Sequence, residues 1–518
     1  MTLSDGSRQR IEEGSVDVLI VGAGLSGIGA ARQLQDVCPD RSFAILEGRE
    51  RIGGTWDLFR YPGIRSDSDM YTMGYDSKPW LNPKAIADGP SILAYVKEAA
   101  EERGLEQSIK FNRWVTGADW SSEKASWTIV ARSADGFQEF VWKCNFLFVC
   151  SGYYDYQNPY KPDFPDEDSF DGPIVHPQHW PEDLDYADKK VVVVGSGATA
   201  MTLVPSMAKK AAKVTMLQRS PTYVVSFPSE DPIANFLKKV LPEKLAYALT
   251  RWKNIRMQRW FYGRTRVDPE GVRKRLLSMV RKGLGEDFDV EKHFTPRYNP
   301  WDQRMCLIPD GDLYKAIRSG EAEVVTGEIS SFRKAGIELV SGEFVDADII
   351  VSATGLNLVV LGGAEFSVDG KAVDFSKTYS YKGMMFSDVP NLVYTLGYIN
   401  ASWTLRSELV AQYVCQLVNH LYEKRFTSVT PRLENSSKDM KDYLLINDFT
   451  PGYMKRAMHL FPRQGDRDPW RNTQNYLLDR QMIKNGKIDD NALQFSARRN
   501  EEAMGVKSTQ NQVDKNAA

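Results

Sequence analysis

Val16-Asp17-Val18-Leu19-Ile20-Val21-Gly22-Ala23-Gly24-Leu25-Ser26-Gly27 is the stretch whose reading decides the fold. Val16–Val21 is a short, β-branched apolar run, the pattern of a strand buried on both faces. It breaks into G-x-G-x-x-G at Gly22, and a helical pattern follows through Ala30, Ala31 and Leu34. A second apolar run, Phe43–Leu46, ends at Glu47 and completes a βαβ unit. In that context the motif is a phosphate cradle. Gly22 allows the tight turn, Gly24 lets a pyrophosphate approach the backbone, and Gly27 lets helix and strand pack closely. The helix N-terminus offers N–H donors and the positive end of its dipole. Glu47 lies 20 residues after Gly27. A carboxylate there accepts hydrogen bonds from both ribose hydroxyls and repels a 2′-phosphate, so the site suits FAD or NAD. Gly53-Gly54-Thr55-Trp56 follows, a glycine pair that lets the chain pass close to a dinucleotide and favours FAD.

The pattern recurs. Val191–Val194 leads into Gly195-Ser196-Gly197-Ala198-Thr199-Ala200, a G-x-G-x-x-A variant, and a further strand is expected at Val214–Leu217. Arg219, 19 positions after Ala200, holds the place that Glu47 holds in the first unit, with opposite charge. An arginine there can grip a 2′-phosphate in a bidentate fork, and Ser220 can add a hydroxyl. The second site is therefore expected to take NADPH.

Around these units, the 518 residues suggest about three domains at roughly 100–200 residues each. The expected fold class is α/β, with two Rossmann-like dinucleotide-binding domains, the NADP domain inserted in the FAD domain, and a helical insertion. Residues 1–151 and 364–504 are read as the FAD-binding domain and 152–230 and 298–363 as the NADP-binding domain. Residues 231–297 are read as the helical insertion and 505–518 as a disordered polar tail. Strands are expected over Trp120–Arg132 and Phe137–Cys150, and Tyr153–Asp188 reads as a connection. A net charge of −2 gives no field for nucleic acid. Residues 231–293, however, hold fifteen Lys and Arg against eight Asp and Glu. Two readings of that excess stand: a solvated basic face, or a surface for a phosphate-bearing cofactor or anionic lipid. Five scattered cysteines with no C-x-x-C pair argue against a disulfide framework, zinc ribbon or thiol redox motif. The polar start and the lack of an apolar run near ~18 residues lead to the expectation of a soluble, cytoplasmic protein.

Phe170–Pro181 (FDGPIVHPQHWP) fits F-x-G-x-x-x-H-x-x-x-W-P. His176 and His179 alone make a poor metal pair, since no carboxylate or cysteine stands at ligand spacing and Pro177 opposes a helix. No metal site is expected. Placed between two dinucleotide motifs, the pattern resembles the fingerprint of type I Baeyer–Villiger monooxygenases. Gly53–Tyr71, His176–Asp185, Tyr298–Leu307 and Gly397–Leu405 resemble the branch that holds the mycobacterial activator of thioamide prodrugs. The resemblance implies FAD reduced by NADPH, O₂ added at flavin C4a, and a ketone converted to an ester or lactone through the peroxyflavin, with sulfoxidation as a side activity. The expected partners are a small ketone or sulfide and O₂. An S- or N-oxidising flavin monooxygenase is the alternative, and a non-catalytic nucleotide-binding redox sensor a remote one. The resemblance places an active-site arginine at Arg304 and its paired carboxylate at Asp67. Many family members carry lysine just before that arginine; here it is Gln303. His176 and Trp180 are read as linker residues that gate movement between domains; Trp403 and Asn400 lie in a segment open to two readings, approach to the substrate pocket or core packing, the latter favoured for Trp403.

Overall fold

The structure, a computed structural model, describes residues 9–433 and 439–497. The tail expected at 505–518 lies outside the described residues, as does the end of the 364–504 segment.

Among the described residues the chain builds two large sheets, of nine and five strands, and five smaller ones. The first takes β1 (Gln9–Val21), β2 (Phe43–Leu46), β3 (Ile109–Lys110), β4 (Trp114–Ser121), β5 (Ser126–Arg132) and β6 (Gln138–Val149). Late in the sequence Glu365–Val368 pairs with β4, Lys371–Ala372 pairs with Glu365–Val368, and Leu392–Tyr394 pairs with β6. From one edge the order is Lys371–Ala372, Glu365–Val368, β4, β5, β6, β1, β2, β3. β1 lies parallel between β6 and β2, with Val18–Val21 opposite Phe43–Leu46. Val18, Leu19 and Ile20 are fully buried, as a central parallel strand covered on both faces requires.

Helix α1 (Leu25–Val37) starts directly at the glycine turn and buries Ile28, Ala30, Ala31 and Leu34. The segment 53–80, which reads as loop, contains two short helices, α2 (Thr55–Leu58) and α3 (Met70–Met73). α4 (Gly89–Glu101) follows, capped by the Asp88 side chain. One strand expectation is corrected. Trp120–Arg132 is not a single strand; β4 and β5 form a hairpin that turns at 122–125 and sets Trp120 opposite Trp127. That turn has neither Gly nor Pro, and Ala125 takes the positive φ of 49° instead.

The second sheet is all parallel. It uses β7 (Ile174–Val175), β8 (Lys190–Val194), β9 (Lys213–Gln218), β12 (Ala322–Thr326) and Ile349–Ser352, in the order β12, β9, β8, Ile349–Ser352, β7. Helix α5 (Ala198–Met207) follows the second glycine turn. A separate parallel pair, β10 (Val224–Phe227) and β11 (Cys306–Pro309), adjoins this unit. The connection 153–188 is thus more than a linker, since β7 forms the sheet's edge.

Residues 231–297 are helical: α6 (Pro232–Val240), α7 (Glu243–Val267), α8 (Pro269–Leu284) and α9 (Val290–Phe294). α7 packs on α3 of the first unit, while α8 packs on β10 and on α10 (Asp312–Arg318) of the second. A single residue, Asp268, separates the two helices. It ends α7, and its side chain accepts from Gly271 N at 2.9 Å to start α8. α11 (Trp403–Glu423) returns to cover α1. No helix among the described residues is long and apolar enough to cross a membrane.

Candidate active site

The C-terminal ends of the two central strands face one cavity of about 1020 Å³, the usual place for a ligand in an open α/β sheet. Gly22, Gly24, Glu47, Gly54, Thr55 and Trp56 line one end. Gly195, Gly197, Thr199, Arg219 and Ser220 line the other, with Asp67, Gln303 and Arg304 between. Gly27 is not on the wall. A Cβ there would stand 1.8 Å from Gly22 O, so this glycine is fixed by helix–strand packing.

At the first end, α1 opens at Gly24 with no side-chain cap, leaving its first N–H groups without an intrahelical partner. Gly54 passes so close that a Cβ on it would lie 3.1 Å from Gly24 Cα. Its φ of 54° with ψ of −122° is backbone that only glycine adopts readily. Glu47 is buried, with Oε2 accepting from Ala23 N at 2.7 Å and Oε1 from Arg49 N at 2.9 Å. Burial raises its pKa above the ordinary value, partly countered by these two bonds. A carboxylate has about four acceptor positions, so Glu47 keeps capacity for hydroxyl donors. Tyr156, pushed up to about 12 by burial, meets Thr55 Oγ1 at 3.1 Å.

The second end repeats the cradle. α5 opens at Gly197 without a side-chain cap, and a Cβ on Gly197 would meet nothing within 4 Å, so this glycine faces open space. Gly195 is fixed differently, for a Cβ there would stand 2.3 Å from Ala353 O. Arg219 is exposed at the end of β9 and has no ion pair or hydrogen bond among the described residues. The residues therefore fit two dinucleotides: two uncapped helix ends, an acid at one adenosine position and an unpartnered guanidinium at the other.

Between the cradles, Arg304 Nε donates to Asp67 Oδ2 at 3.1 Å across 237 residues of sequence. Neither Nη group has a partner among the described residues, and 39% of the side chain is open to the cavity. Removal from water works against the Arg304 charge, but the Asp67 carboxylate together with the Tyr453, Tyr153 and Tyr154 phenols more than offsets it and holds the group above its ordinary pKa. Arg65, two residues before Asp67, bonds Asp312 at the start of α10, tying the same loop to the second unit. Asp69 is a different kind of group. It is the N-cap of α3 and accepts from Asn254 and Gln258 of α7, both at 2.8 Å.

Sequence reasoning missed the aromatic wall. Tyr153, Tyr154 and Tyr453 line the cavity near Arg304, and burial raises all three phenols. Tyr153 stacks on Trp403 at 5.2 Å and 9°. Trp403 also donates to Ser26 Oγ at 2.8 Å, packs against the core as expected and in addition lines the cavity. The Tyr153-Tyr154-Asp155-Tyr156 run after the β6 strand was the available signal. His176 and Trp180 are not on the wall. His176 Nδ1 accepts from Gln178 N at 3.1 Å, which leaves the proton on Nε2 to donate to Gly355 O at 3.3 Å. Trp180 packs on the core of the second unit.

Comparison with known proteins finds relatives along nearly the whole chain. The Flavin-binding monooxygenase-like family profile matches residues 75–269, and that of the NAD(P)-binding Rossmann-like domain matches 20–81. The chain is 52% identical over 484 residues to the FAD-containing monooxygenase EthA of Mycobacterium tuberculosis, spanning 93% of this chain and 98% of that protein. It is 49% identical to the probable FAD-binding monooxygenase AlmA of Acinetobacter baylyi, spanning 93% and 96%. Among solved structures, oxidized steroid monooxygenase bound to NADP superposes with a TM-score of 0.73 at 22% identity, covering 93% of this chain and 100% of that one. ε-Caprolactone-bound cyclohexanone monooxygenase gives 0.69 at 18%, covering 93% and 100%. With two nucleotide cradles flanking one arginine–aspartate pair, and half its residues shared with such a relative along nearly its whole length, the chain belongs to the FAD-containing, flavin-binding monooxygenase family, on the fold of the steroid and cyclohexanone monooxygenases.

Proposed function

We propose that the protein is an NADPH- and O₂-dependent Baeyer–Villiger monooxygenase that converts ketones to esters or lactones, with oxidation of sulfides as a side activity. The observation that carries this reading is Arg304, held through Nε by Asp67 with both Nη groups free in the cavity between the cradles. When bound, the flavin supplies the activation of O₂ and the nicotinamide supplies the hydride.

The remaining work falls to this chain. The N-terminus of α1, Gly24 and Gly54 hold the FAD pyrophosphate, and Glu47 accepts from its ribose hydroxyls. The N-terminus of α5 with Gly197 and Thr199 holds the second pyrophosphate, and Arg219 with Ser220 holds the 2′-phosphate. Arg304 donates from its free fork to the negative charge that develops on the substrate's carbonyl oxygen. Losing such a donor ordinarily costs on the order of 10²–10³ in rate. Asp67 is a positioning residue, and with Nε taken it fixes the guanidinium plane and so the direction of the fork. Tyr153, Trp403 and Tyr453 exclude water from that side of the cavity. His176 and Trp180 act through the segment that carries β7, as gating residues.

The test is oxidation of NADPH by the FAD-loaded enzyme with linear ketones, cyclic ketones and sulfides, the products identified by mass. Ester or lactone from at least one ketone class is expected. Hydrogen peroxide with no oxygenated ketone product across the panel would refute the reading, and sulfoxide alone would move it to the S-oxidising class.

A further inference from the structure

A surface helix ordinarily turns its apolar side inward. α7 also turns large apolar side chains outward. Toward the first unit it presents Tyr247, Arg251 and Asn254, all buried. Tyr247 donates to Tyr75 O at 3.0 Å, Arg251 to Gly74 O at 2.7 Å and to Glu408, and Asn254 to Asp69. Toward solvent it presents Leu245, Leu249, Trp252 and Trp260, exposed by 48, 42, 55 and 60%. Their spacing keeps all four on one side of the helix. α6, packed against α7, does the same with Ile233, Phe236 and Val240 at positions i, i+3 and i+7. Seven large apolar side chains on one helical hairpin exceed the scattered exposure normal for a protein surface.

Charge accompanies this apolar face. Residues 232–266 contain nine Lys and Arg and a single acid, Glu243. Lys239, Lys244 and Arg256 are exposed and have no carboxylate partner among the described residues. The Arg256 guanidinium lies 4.1 Å from the centre of the Trp252 ring. A second copy of the chain fits this face poorly, because a two-fold contact would set positive against positive. An anionic bilayer matches both features, taking the aliphatic side chains below the headgroups, the tryptophans at their level and the bases against the phosphates.

We infer that the outer face of the α6–α7 hairpin docks the protein on an anionic phospholipid surface. The attachment is peripheral, and it does not depend on the reaction proposed above. Gln258, Arg259 and Tyr262 of α7 also wall a second cavity of about 510 Å³, which shares Ile399 and Ala401 with the main one. The helix that meets lipid is therefore also a wall of the inner space.

The test is flotation of the FAD-loaded, full-length protein with vesicles of phosphatidylcholine alone or with about 30% phosphatidylglycerol. It is expected to float with the anionic vesicles, to stay behind with the neutral ones, and to detach as salt is raised. Trp252→Ser with Trp260→Ser should lower the bound fraction by roughly tenfold or more, and Lys239→Glu with Lys244→Glu should also lower it. In both variants the melting temperature and the turnover of a water-soluble substrate should stay unchanged. No flotation at low salt, or equal flotation with neutral vesicles, would overturn the inference. So would a lipid-free dimer that the tryptophan variants dissolve, since a second copy would then be the occupant.

Discussion

Arg219→Ala isolates one interaction cleanly. The side chain is exposed, lines the cavity beside the second cradle and touches no described polar partner. Its removal leaves no orphaned buried group, so folding stability should move by no more than about 0.5 kcal/mol. What is lost is a bidentate grip on a 2′-phosphate. Hydrogen bonds to charged groups contribute about 1.5–3 kcal/mol each, and an open cleft screens them, so the pair is worth about 3 kcal/mol. At about 1.4 kcal/mol per factor of ten, KM for NADPH should rise roughly 10²-fold. KM for NADH, which has no 2′-phosphate, should change by less than about threefold. Steady-state oxidation of both nucleotides, with a melting curve for each protein, reads all three quantities. Equal effects on the two nucleotides would refute the 2′-phosphate assignment. A large fall in melting temperature would show that Arg219 is structural.

Three further outcomes follow from the same geometry. Arg304→Lys keeps the charge but loses the planar fork fixed by Asp67, so oxygenated product should fall by about 10²-fold or more while peroxide release persists; a product rate near wild type would remove Arg304 from the reaction. Gly54→Ala forces a Cβ to 3.1 Å from Gly24 Cα at positive φ, a strain of about 1–3 kcal/mol, and the purified protein should carry visibly less flavin absorbance. Desolvation holds His176 below its ordinary pKa, so as pH falls through about 6.5 the unfolded chain takes the proton first and stability drops, with no effect above that range. Melting temperature should therefore fall less steeply from pH 7.5 to 5 in His176→Gln than in the wild type, and parallel slopes would contradict the assignment.

Both cradles were legible because their signal is local. A buried strand, a glycine turn and a helix lie within about thirty residues, and the residue after the second strand, Glu47 in one unit and Arg219 in the other, carries a charge that lines the cavity. Asp67 and Arg304 were not legible from pattern, being 237 residues apart, and only the family resemblance joined them. The β4–β5 hairpin escaped because its turn is made by Ala125 rather than by glycine. The aromatic wall escaped because Tyr153 and Trp403 come from distant segments and each reads as core on its own. The basic segment 231–293 was legible as charge but not as surface. Only the structure shows that on α7 Arg251 and Asn254 face inward while Leu245, Leu249, Trp252 and Trp260 face outward.

The junction at Asp268 has a mechanical consequence. α7 is seated on the first unit and α8 on the second, and one residue joins them, its carboxylate shared between Gly271 N and Arg264. The pair acts as a linkage of two stiff rods with one pivot. A rotation of either nucleotide unit against the other would load the two dihedral angles of Asp268 as well as the other contacts between the units. This joint lies outside the cavity, at a residue that lines neither nucleotide cradle, and it acts beside the Arg65–Asp312 pair that also ties the units.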